Sequence, residues 1–321
     1  MIEDGAVAVL GYGHQGRAQA LNLRDAGATV IVGAREGGAG SARAIADGFA
    51  PLPLGAATAA AGAGTVAALL PDDLLPDLVR ETIAPALAPG AAVVLAHGFA
   101  ALYGGLAVPA GHDLLLVSPG APGAVLRSEF EQGRGVPMYV AVVAEAEPGS
   151  GRALERARAW ARALGAERPG GGVLETDLAT ETEIDLFGEQ AVVVGGVSEL
   201  VEAAFTTLVE AGYDERIAYL EVVHQLKHLV DVIHAAGPDG LRDRVSGTAL
   251  YGALTRGPRV INSVSRAALQ NLLEEIRSGA FAAEWRAESA AGGTRLETLR
   301  QAARARGLAA ARARALPGSP L

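Results

Sequence analysis

There is no cysteine in the chain, which excludes disulfides and thiol chemistry and fits a cytoplasmic enzyme. Aromatic residues are scarce at 4%, although 50% of the 321 residues are hydrophobic. The core must therefore be aliphatic, and the chain is long enough for two domains. Basic residues are outnumbered, 27 Lys and Arg against 36 Asp and Glu, leaving a net charge of -9. Such a balance argues against nucleic acid or an anionic membrane as partner, because both recruit basic surfaces. No unbroken apolar run reaches the ~18 to 20 residues of a membrane-spanning helix. The start, Met1-Ile-Glu-Asp-Gly-Ala, lacks the basic and apolar regions of a signal peptide. No repeat of fixed period is present either. Ala and Gly dominate instead, and a mean hydropathy of +0.25 hints at a large subunit interface, hence a homodimer or higher homo-oligomer.

Residues 6–10, Ala-Val-Ala-Val-Leu, form a short apolar run that enters Gly11-Tyr-Gly-His-Gln-Gly16 and then an Ala/Leu-rich segment reaching Gly27. Strand, glycine turn and helix in that order predict a dinucleotide-binding unit. Gly11 permits the tight turn, Gly13 lets a pyrophosphate approach the backbone, and Gly16 lets helix pack on strand. Tyr12, His14 and Gln15 complete the turn and count as cofactor-binding candidates with them. A second strand, 29–33, leads into Ala34-Arg-Glu-Gly-Gly-Ala-Gly-Ser41, the loop expected at the adenosine ribose. Arg35 suits adenine stacking or a 2′-phosphate, Glu36 suits a free 2′-hydroxyl, and Ser41 is the nearby hydroxyl, so NADH and NADPH both stay open. Further strands are expected near 65–70, 91–96, 113–118 and 138–143, with helices between them, one opening at Pro148-Gly-Ser-Gly151, and Gly170-Gly-Gly172 with Val173-Leu-Glu-Thr176 closes this half. This alternation predicts a doubly wound parallel sheet of Rossmann type, with ligands beyond the carboxyl ends of its strands. One such end carries His97, a candidate acid/base or substrate-binding group. Another carries the loop Pro119-Gly-Ala-Pro-Gly123.

Strand signals stop near 179, which divides the chain into a dinucleotide domain, 1–178, and a helical domain, 179–321. Helices are expected over about 181–211, 215–235, 241–254 and 260–278, followed by an Ala/Arg-rich tail that frays over its last residues, 317–321. The helical half opens on Glu181-Thr-Glu-Ile-Asp-Leu-Phe-Gly-Glu-Gln190, four carboxylates in nine residues. On a helix Asp185 and Glu189 share a face, where like charges repel unless a divalent cation compensates. Oxygen-only ligands favour Mg²⁺; a solvated acidic helix start, helped by the helix dipole, is the plainer alternative. Farther on, Glu221, His224, Gln225 and His228 fall along one helical face. Taken alone this is a polar helix surface, since the second Glu-x-x-His copy that redox metals need in helical bundles is missing.

Taken together, Gly11-Tyr-Gly-His-Gln-Gly16, Ala96-His-Gly-Phe99, Arg127-Ser-Glu-Phe130, the Glu181 to Gln190 block, Glu210-Ala-Gly-Tyr213, His224 to Lys227 and Gly257-Pro-Arg-Val-Ile-Asn262 resemble ketol-acid reductoisomerase in its short form, over residues 6 to about 280. The resemblance implies a Rossmann domain followed by a knotted helical domain, and dimers with active sites formed between subunits. It also implies a small-molecule reaction in two parts: an Mg²⁺-assisted alkyl shift in a 2-hydroxy-2-acetyl acid, then reduction of the new 2-keto group by NADPH, on the route to branched-chain amino acids. Position by position, Asp185 would bridge a pair of metal ions, Glu189 would hold one, and Glu221 would join them as an acidic site residue. Ser246 would bind the substrate carboxylate, and His97 would stand at the reaction centre; bridging metals polarise both oxygens of a hydroxy-ketone.

The departures matter equally. Gly120 stands where the family has a lysine regarded as catalytic, and Gln225 where it has a carboxylate, so the site keeps a hydrogen-bonding group but loses a charge. Gly38 and Gly40 occupy the places of two serines expected to hold a 2′-phosphate, and Gly247-Thr-Ala-Leu250 is less polar than its counterpart. The resulting expectation is an NAD(P)H-dependent oxidoreductase that reduces a 2-keto acid or related C=O or C=N compound with Mg²⁺, its isomerase step weakened. Two alternatives stay open. One is a full reductoisomerase in which Arg127 or Arg134 supplies the missing cation; the other is a cofactor-binding protein without catalysis.

Overall fold

Seven short apolar runs become the strands of one sheet: β1 (Val7–Leu10), β2 (Val30–Gly33), β3 (Thr65–Ala68), β4 (Ala92–Leu95), β5 (Asp113–Pro119), β6 (Pro137–Ala144) and β7 (Gly172–Glu175). The structure, a computed structural model, describes residues 5–146 and 151–317. The Met1-Ile-Glu-Asp start, the helix opening at Pro148 and the final Gly318-Ser-Pro-Leu321 lie outside the described residues. Strand order is β2-β1-β3-β4-β5-β6-β7, so the order reverses at β1, where the glycine turn leaves the sheet. β1, β3 and β4 are buried along their whole length, as strands covered on both faces must be.

One expectation is corrected: the sheet is mixed rather than wholly parallel. β6 runs antiparallel to β5, with Pro119 opposite Met138 and Leu114 opposite Ala144. The chain leaves β5 at Pro119, makes a single helix, and re-enters at Pro137 beside the point it left, so β6 can only run back.

The helices of this half are α1 (His14–Asp25), α2 (Ala39–Ala46), α3 (Leu54–Ala60), α4 (Leu75–Leu78), α5 (Phe99–Leu102), α6 (Gly123–Glu131) and α7 (Ala153–Ala163). Alternate strand residues feed two cores. Val7, Val9, Leu115 and Val117 meet Leu23, Leu126 and Trp160 on one face. Ala8, Leu10, Leu114 and Leu116 meet Ala57, Leu75, Val79 and Ile83 on the other.

The chain divides into two compact units after Ile184, inside α8 (Leu178–Gly188) and a little beyond the break expected at 178. The C-terminal unit continues with α9 (Gly195–Glu210), α10 (Glu215–Tyr219), α11 (Gln225–Arg242), α12 (Gly247–Val260), α13 (Ser263–Arg277), α14 (Ala280–Ala290), α15 (Thr294–Ala305) and α16 (Leu308–Ala315). Asp214, Ser246 and Asn262 cap α10, α12 and α13 by accepting from backbone N–H groups. Two expected boundaries move. α11 absorbs the segment through Arg242 although Gly237 (φ 70°, ψ 175°) breaks its backbone ahead of Pro238, and the Ser246 cap delays α12 to Gly247. The expected tail is itself helical, as α14 to α16.

Two π turns interrupt the long helices: Glu189–Val193 joins α8 to α9, and Leu220–His224 joins α10 to α11. The joined helix Leu178–Glu210 has 33 residues and, by length and composition, is apolar enough to cross a membrane. It nevertheless carries Asp185, Glu189, Glu199 and Glu202, the last two paired with Arg306. A small core gathers Phe205, Ala218, Tyr219 and Ala311 with Leu208, Val222 and Leu308. Many apolar residues of the unit stay outside it: Val192, Val193 and Val194 are 57%, 65% and 59% exposed.

Candidate active site

The glycine turn is built for a backbone-only approach. Gly11 has φ 92°, and a Cβ there would lie 2.2 Å from the Leu69 carbonyl oxygen; at Gly16 it would lie 2.0 Å from that of Gly11. Gly13 has nothing within 4 Å on that side, leaving room for an anion at the start of α1. His14 is exposed at that start. The Gln15 amide donates to the Ala121 carbonyl at 3.0 Å, tying the turn to the loop after β5. Tyr12 behaves differently from a cofactor-lining side chain: it is 2% exposed and its hydroxyl donates to Asp47 at 3.0 Å. Burial, reinforced by the Asp47 carboxylate, pushes its hydroxyl pKa well above the usual tyrosine value.

In the ribose loop Arg35 and Glu36 are exposed, and the turn is shaped by Gly38 N–H donating to the Arg35 carbonyl at 3.0 Å. Ser41 is turned inward with Ala44 on the buried face of α2 and is 9% exposed. The packing of α2 thus leaves little of the Ser41 side chain at the loop surface.

Beyond the carboxyl end of β4 the chain reaches His97. Gly98 follows, where a Cβ would lie 2.0 Å from Thr182 Oγ1 and 2.6 Å from Leu178 Cδ1. Only glycine lets the first turns of α8 close onto the strand end. That closeness places the fully buried Glu181 with Oε1 3.6 Å from His97 Nδ1. The other oxygen accepts from the Thr182 hydroxyl at 3.3 Å, whereas Oε1 has no hydrogen bond among the described residues. A buried carboxylate oxygen in that condition is costly unless a proton or a cation meets it. The His97 ring stacks on Phe99, centroids 6.5 Å apart and 18° from parallel.

Asp185 follows Glu181 by one turn of the same helix, and Glu189 opens the first π turn. Widened turns of this kind are frequent at functional sites. Glu181, Asp185 and Glu189 offer only hard oxygen donors, and Glu181 Oε1 has acceptor capacity not used among the described residues, so the donor chemistry fits Mg²⁺. Glu181 belongs to the acidic block yet was not among the expected site residues. Its spacing from Asp185 repeats that of Asp185 from Glu189, which is the signal that could have added it.

The C-terminal unit holds the remaining candidates. Glu221 lies in the second π turn and Gln225 begins α11. With its amide nitrogen turned toward Glu221, Gln225 donates to both carboxylate oxygens, at 2.9 and 3.1 Å. A neutral donor thus sits on Glu221 where the family would place a second carboxylate. His224 meets His228 edge to face at 5.4 Å, and Lys227 pairs with Asp231 at 2.6 Å. The Ser246 hydroxyl accepts from Ala249 N–H at 3.3 Å as the cap of α12.

Both arginines considered as substitutes for the missing lysine have partners of their own. Arg127 pairs with Asp25 at 2.7 Å and Glu131 at 2.9 Å and donates to Asn22 Oδ1 at 3.0 Å, so its head is held toward the far end of α1. Arg134 forks onto Glu129 at 2.6 and 2.7 Å. At Gly120 the backbone N–H donates to the Pro137 carbonyl at 2.8 Å, and a Cβ would lie 3.1 Å from that oxygen.

Two family models match the chain: acetohydroxy acid isomeroreductase, NADPH-binding domain, over residues 1–170, and ketol-acid reductoisomerase, C-terminal domain, over residues 178–315. The ketol-acid reductoisomerase (NADP(+)) of Methanocaldococcus jannaschii is 44% identical over 300 residues, 94% of this chain and 89% of that one. Among solved structures, an NADH-preferring ketol-acid reductoisomerase from an uncultured archaeon is similar with a TM-score of 0.91 and 35% identity, covering 99% of this chain and 96% of that one. A semialdehyde dehydrogenase NAD-binding protein from Cupriavidus necator is 18% identical with a TM-score of 0.63, covering 85% and 99%; it shares the fold alone.

Proposed function

The chain belongs to the ketol-acid reductoisomerase family and is an NAD(P)H-dependent oxidoreductase of that family; from this premise we propose that it reduces a small 2-keto acid with Mg²⁺ while its alkyl-shift step is slowed. The observation that carries the reading is the contrast between the Glu181–His97 pair, 3.6 Å apart at the end of β4, and Gly120, which offers no side chain where the family has a lysine while Arg127 and Arg134 are paired with carboxylates of their own. Reduction needs the cofactor and a polarised carbonyl; alkyl migration additionally needs protons moved in step with it. Asp185, Glu189 and Glu221 would hold Mg²⁺, which when bound polarises substrate oxygens. Glu181 Oε1 and His97 Nδ1 would hold a proton between them at the strand end. Ser246 would face the substrate carboxylate.

In the ribose loop, Gly38 and Gly40 offer no hydroxyl, Ser41 is buried and Glu36 is exposed. With Arg35 stacked on the adenine and Glu36 accepting from a free 2′-hydroxyl, NADH is the expected donor. The exposed stripe of Val192 to Val194, with Ile217 and Tyr251 at 65% and 67% exposure, supports a homodimer whose second copy covers these residues. The enzyme would work in the cytoplasm as a biosynthetic reductase. A full reductoisomerase is the second reading, favoured by the 44% identity to the archaeal enzyme over 94% of the chain.

Assay with Mg²⁺ and either NADH or NADPH separates the two, using a 2-hydroxy-2-acetyl acid in one arm and its rearranged 3-hydroxy-2-keto acid in the other. The expected kcat/KM is about 100-fold higher for the rearranged acid, the scale on which one acid/base group acts, and higher with NADH. Equal turnover of both acids would establish the second reading. Failure to oxidise the cofactor with either, or across a panel of keto acids and imines, would leave a binding protein.

A further inference from the structure

We infer that Asp47 is a positioning residue for the dinucleotide: by gripping Tyr12 and Arg17 it fixes the glycine turn at the separation from the ribose loop that the cofactor must span. This rests on NAD(P)H dependence and not on which acid is reduced.

α2 has eight residues, about 12 Å of helix, and its two ends do different things. Its N-terminal end continues the loop from Arg35 to Ser41 that should face the ribose. Its C-terminal end is followed by Asp47, whose carboxylate takes one donor from the glycine turn and two from the first turn of α1. The Tyr12 hydroxyl reaches Oδ2 at 3.0 Å, while Arg17 Nε reaches Oδ2 at 2.6 Å and its Nη2 reaches Oδ1 at 2.8 Å. Fork-shaped pairing of this kind fixes orientation as well as distance.

The backbone is gripped too. Arg43, on α2, donates to the Tyr12 carbonyl oxygen at 2.9 Å. α2 lies so near the turn that a Cβ on Gly40 would be 3.5 Å from the Tyr12 Cβ. Arg24 closes the network from α1, donating to the Asp47 carbonyl at 2.7 Å and lying 4.9 Å above the Phe49 ring, which meets Tyr12 edge-on at 5.8 Å. The Arg17 guanidinium holds the Asp47 carboxyl below the usual carboxylate range, so the acceptor stays charged at neutral pH. None of these side chains needs to touch cofactor. They set where two cofactor-facing loops stand, and an error in that spacing acts on a rigid ligand with two attachment points.

The test uses the full chain with Asp47→Asn, which is isosteric and keeps one acceptor oxygen, and Asp47→Ala. NADH and NADPH dissociation constants are measured by titration, together with separate KM values for cofactor and keto acid, and Tm. The expected result is a cofactor Kd raised about tenfold in Asp47→Asn, about 1.4 kcal/mol, and further in Asp47→Ala. The KM for keto acid and kcat at saturating cofactor should stay within about twofold. Arg17→Ala combined with Asp47→Ala should weaken cofactor binding by less than the product of the single effects. A Kd unchanged within about twofold in Asp47→Asn, whether or not Tm falls, would overturn the inference and leave Asp47 a purely structural brace. Should Asp47→Ala fail to fold, Asp47→Asn decides. Because cofactor binding alone is read, the outcome is independent of which substrate reading holds.

Discussion

The two units of this chain bury aliphatic residues to different degrees. In the N-terminal unit, β1, β3 and β4 are buried from end to end and both faces of the sheet have a core. In the C-terminal unit, a small cluster around Phe205 and Tyr219 is closed and Leu186, Ile276 and Ala282 are buried, while among the described residues Val192 to Val194, Ile217, Tyr251 and Val264 remain open, Val264 at 76%. A sheet wrapped on two sides completes itself, because each strand residue has a helix to face. A run of helices can leave an apolar stripe over, and the unit that carries Glu189, Glu221 and Ser246 is the one left incomplete. Under the proposed homodimer, the parts of the site on these helices would depend on a second chain in a way that the glycine turn does not.

The largest effect that would break this contrast is expected from Val193→Asp. A carboxylate placed in a buried subunit interface without a partner costs about 3–5 kcal/mol, so sedimentation should show monomer. Calorimetry should show the C-terminal unit melting separately and dependent on protein concentration, with the Rossmann unit unchanged. An oligomer intact in that variant would mean the stripe is covered by something other than a second copy. Next in size is Gly98→Ala, which probes the self-sufficient unit. Its methyl carbon would meet Thr182 Oγ1 at 2.0 Å, so α8 must shift at a cost of about 1–3 kcal/mol. We expect kcat to fall at least tenfold, with cofactor Kd preserved; wild-type kcat would show that Glu181 does not need its place beside His97.

The smallest effect is expected from Tyr12→Phe. The native tyrosine is held protonated by burial and by Asp47, whereas in the unfolded chain it ionises near pH ~10. Its contribution is therefore complete below about pH 10 and is lost as pH rises toward the elevated native pKa. Removing it should lower stability by about 1 kcal/mol at neutral pH and flatten the alkaline limb of the stability profile. An alkaline limb identical to wild type would mean the Tyr12–Asp47 bond does not form.

What could be read in advance follows the range of the interaction. Six of the seven strands and the glycine turn were legible, because an apolar run bounded by Gly or Pro is a local signal, whereas the short, half-exposed β7 offers little of it. Antiparallel β6 was not, since direction depends on where the chain re-enters the sheet at Pro137. His97 was legible as a strand-end residue, but its approach to Glu181 was hidden because it is made by the absence of a side chain at Gly98. The Tyr12–Asp47 bond joins residues 35 positions apart through polar atoms that no apolar pattern reports. The inward turn of Ser41 was hidden for a similar reason: a short hydroxyl among alanines carries no face of its own. Gly247 as the start of α12, by contrast, could be read once Ser246 was seen as a cap.

The π turns at Glu189–Val193 and Leu220–His224 carry a consequence for redesign. Each adds one residue to a turn, and one residue is about 100° of rotation and 1.5 Å of rise about the helix axis. Deleting a single residue between Gln190 and Val193 would leave a helix of ordinary winding that looks healthier by every local measure. It would also re-aim Glu189 and its neighbours, because the extra residue is taken up within the wide turn itself and directs the side chains there differently while the helix on either side keeps its course. The two wide turns thus act to aim side chains, so that a tidier helix here would be a misaimed one.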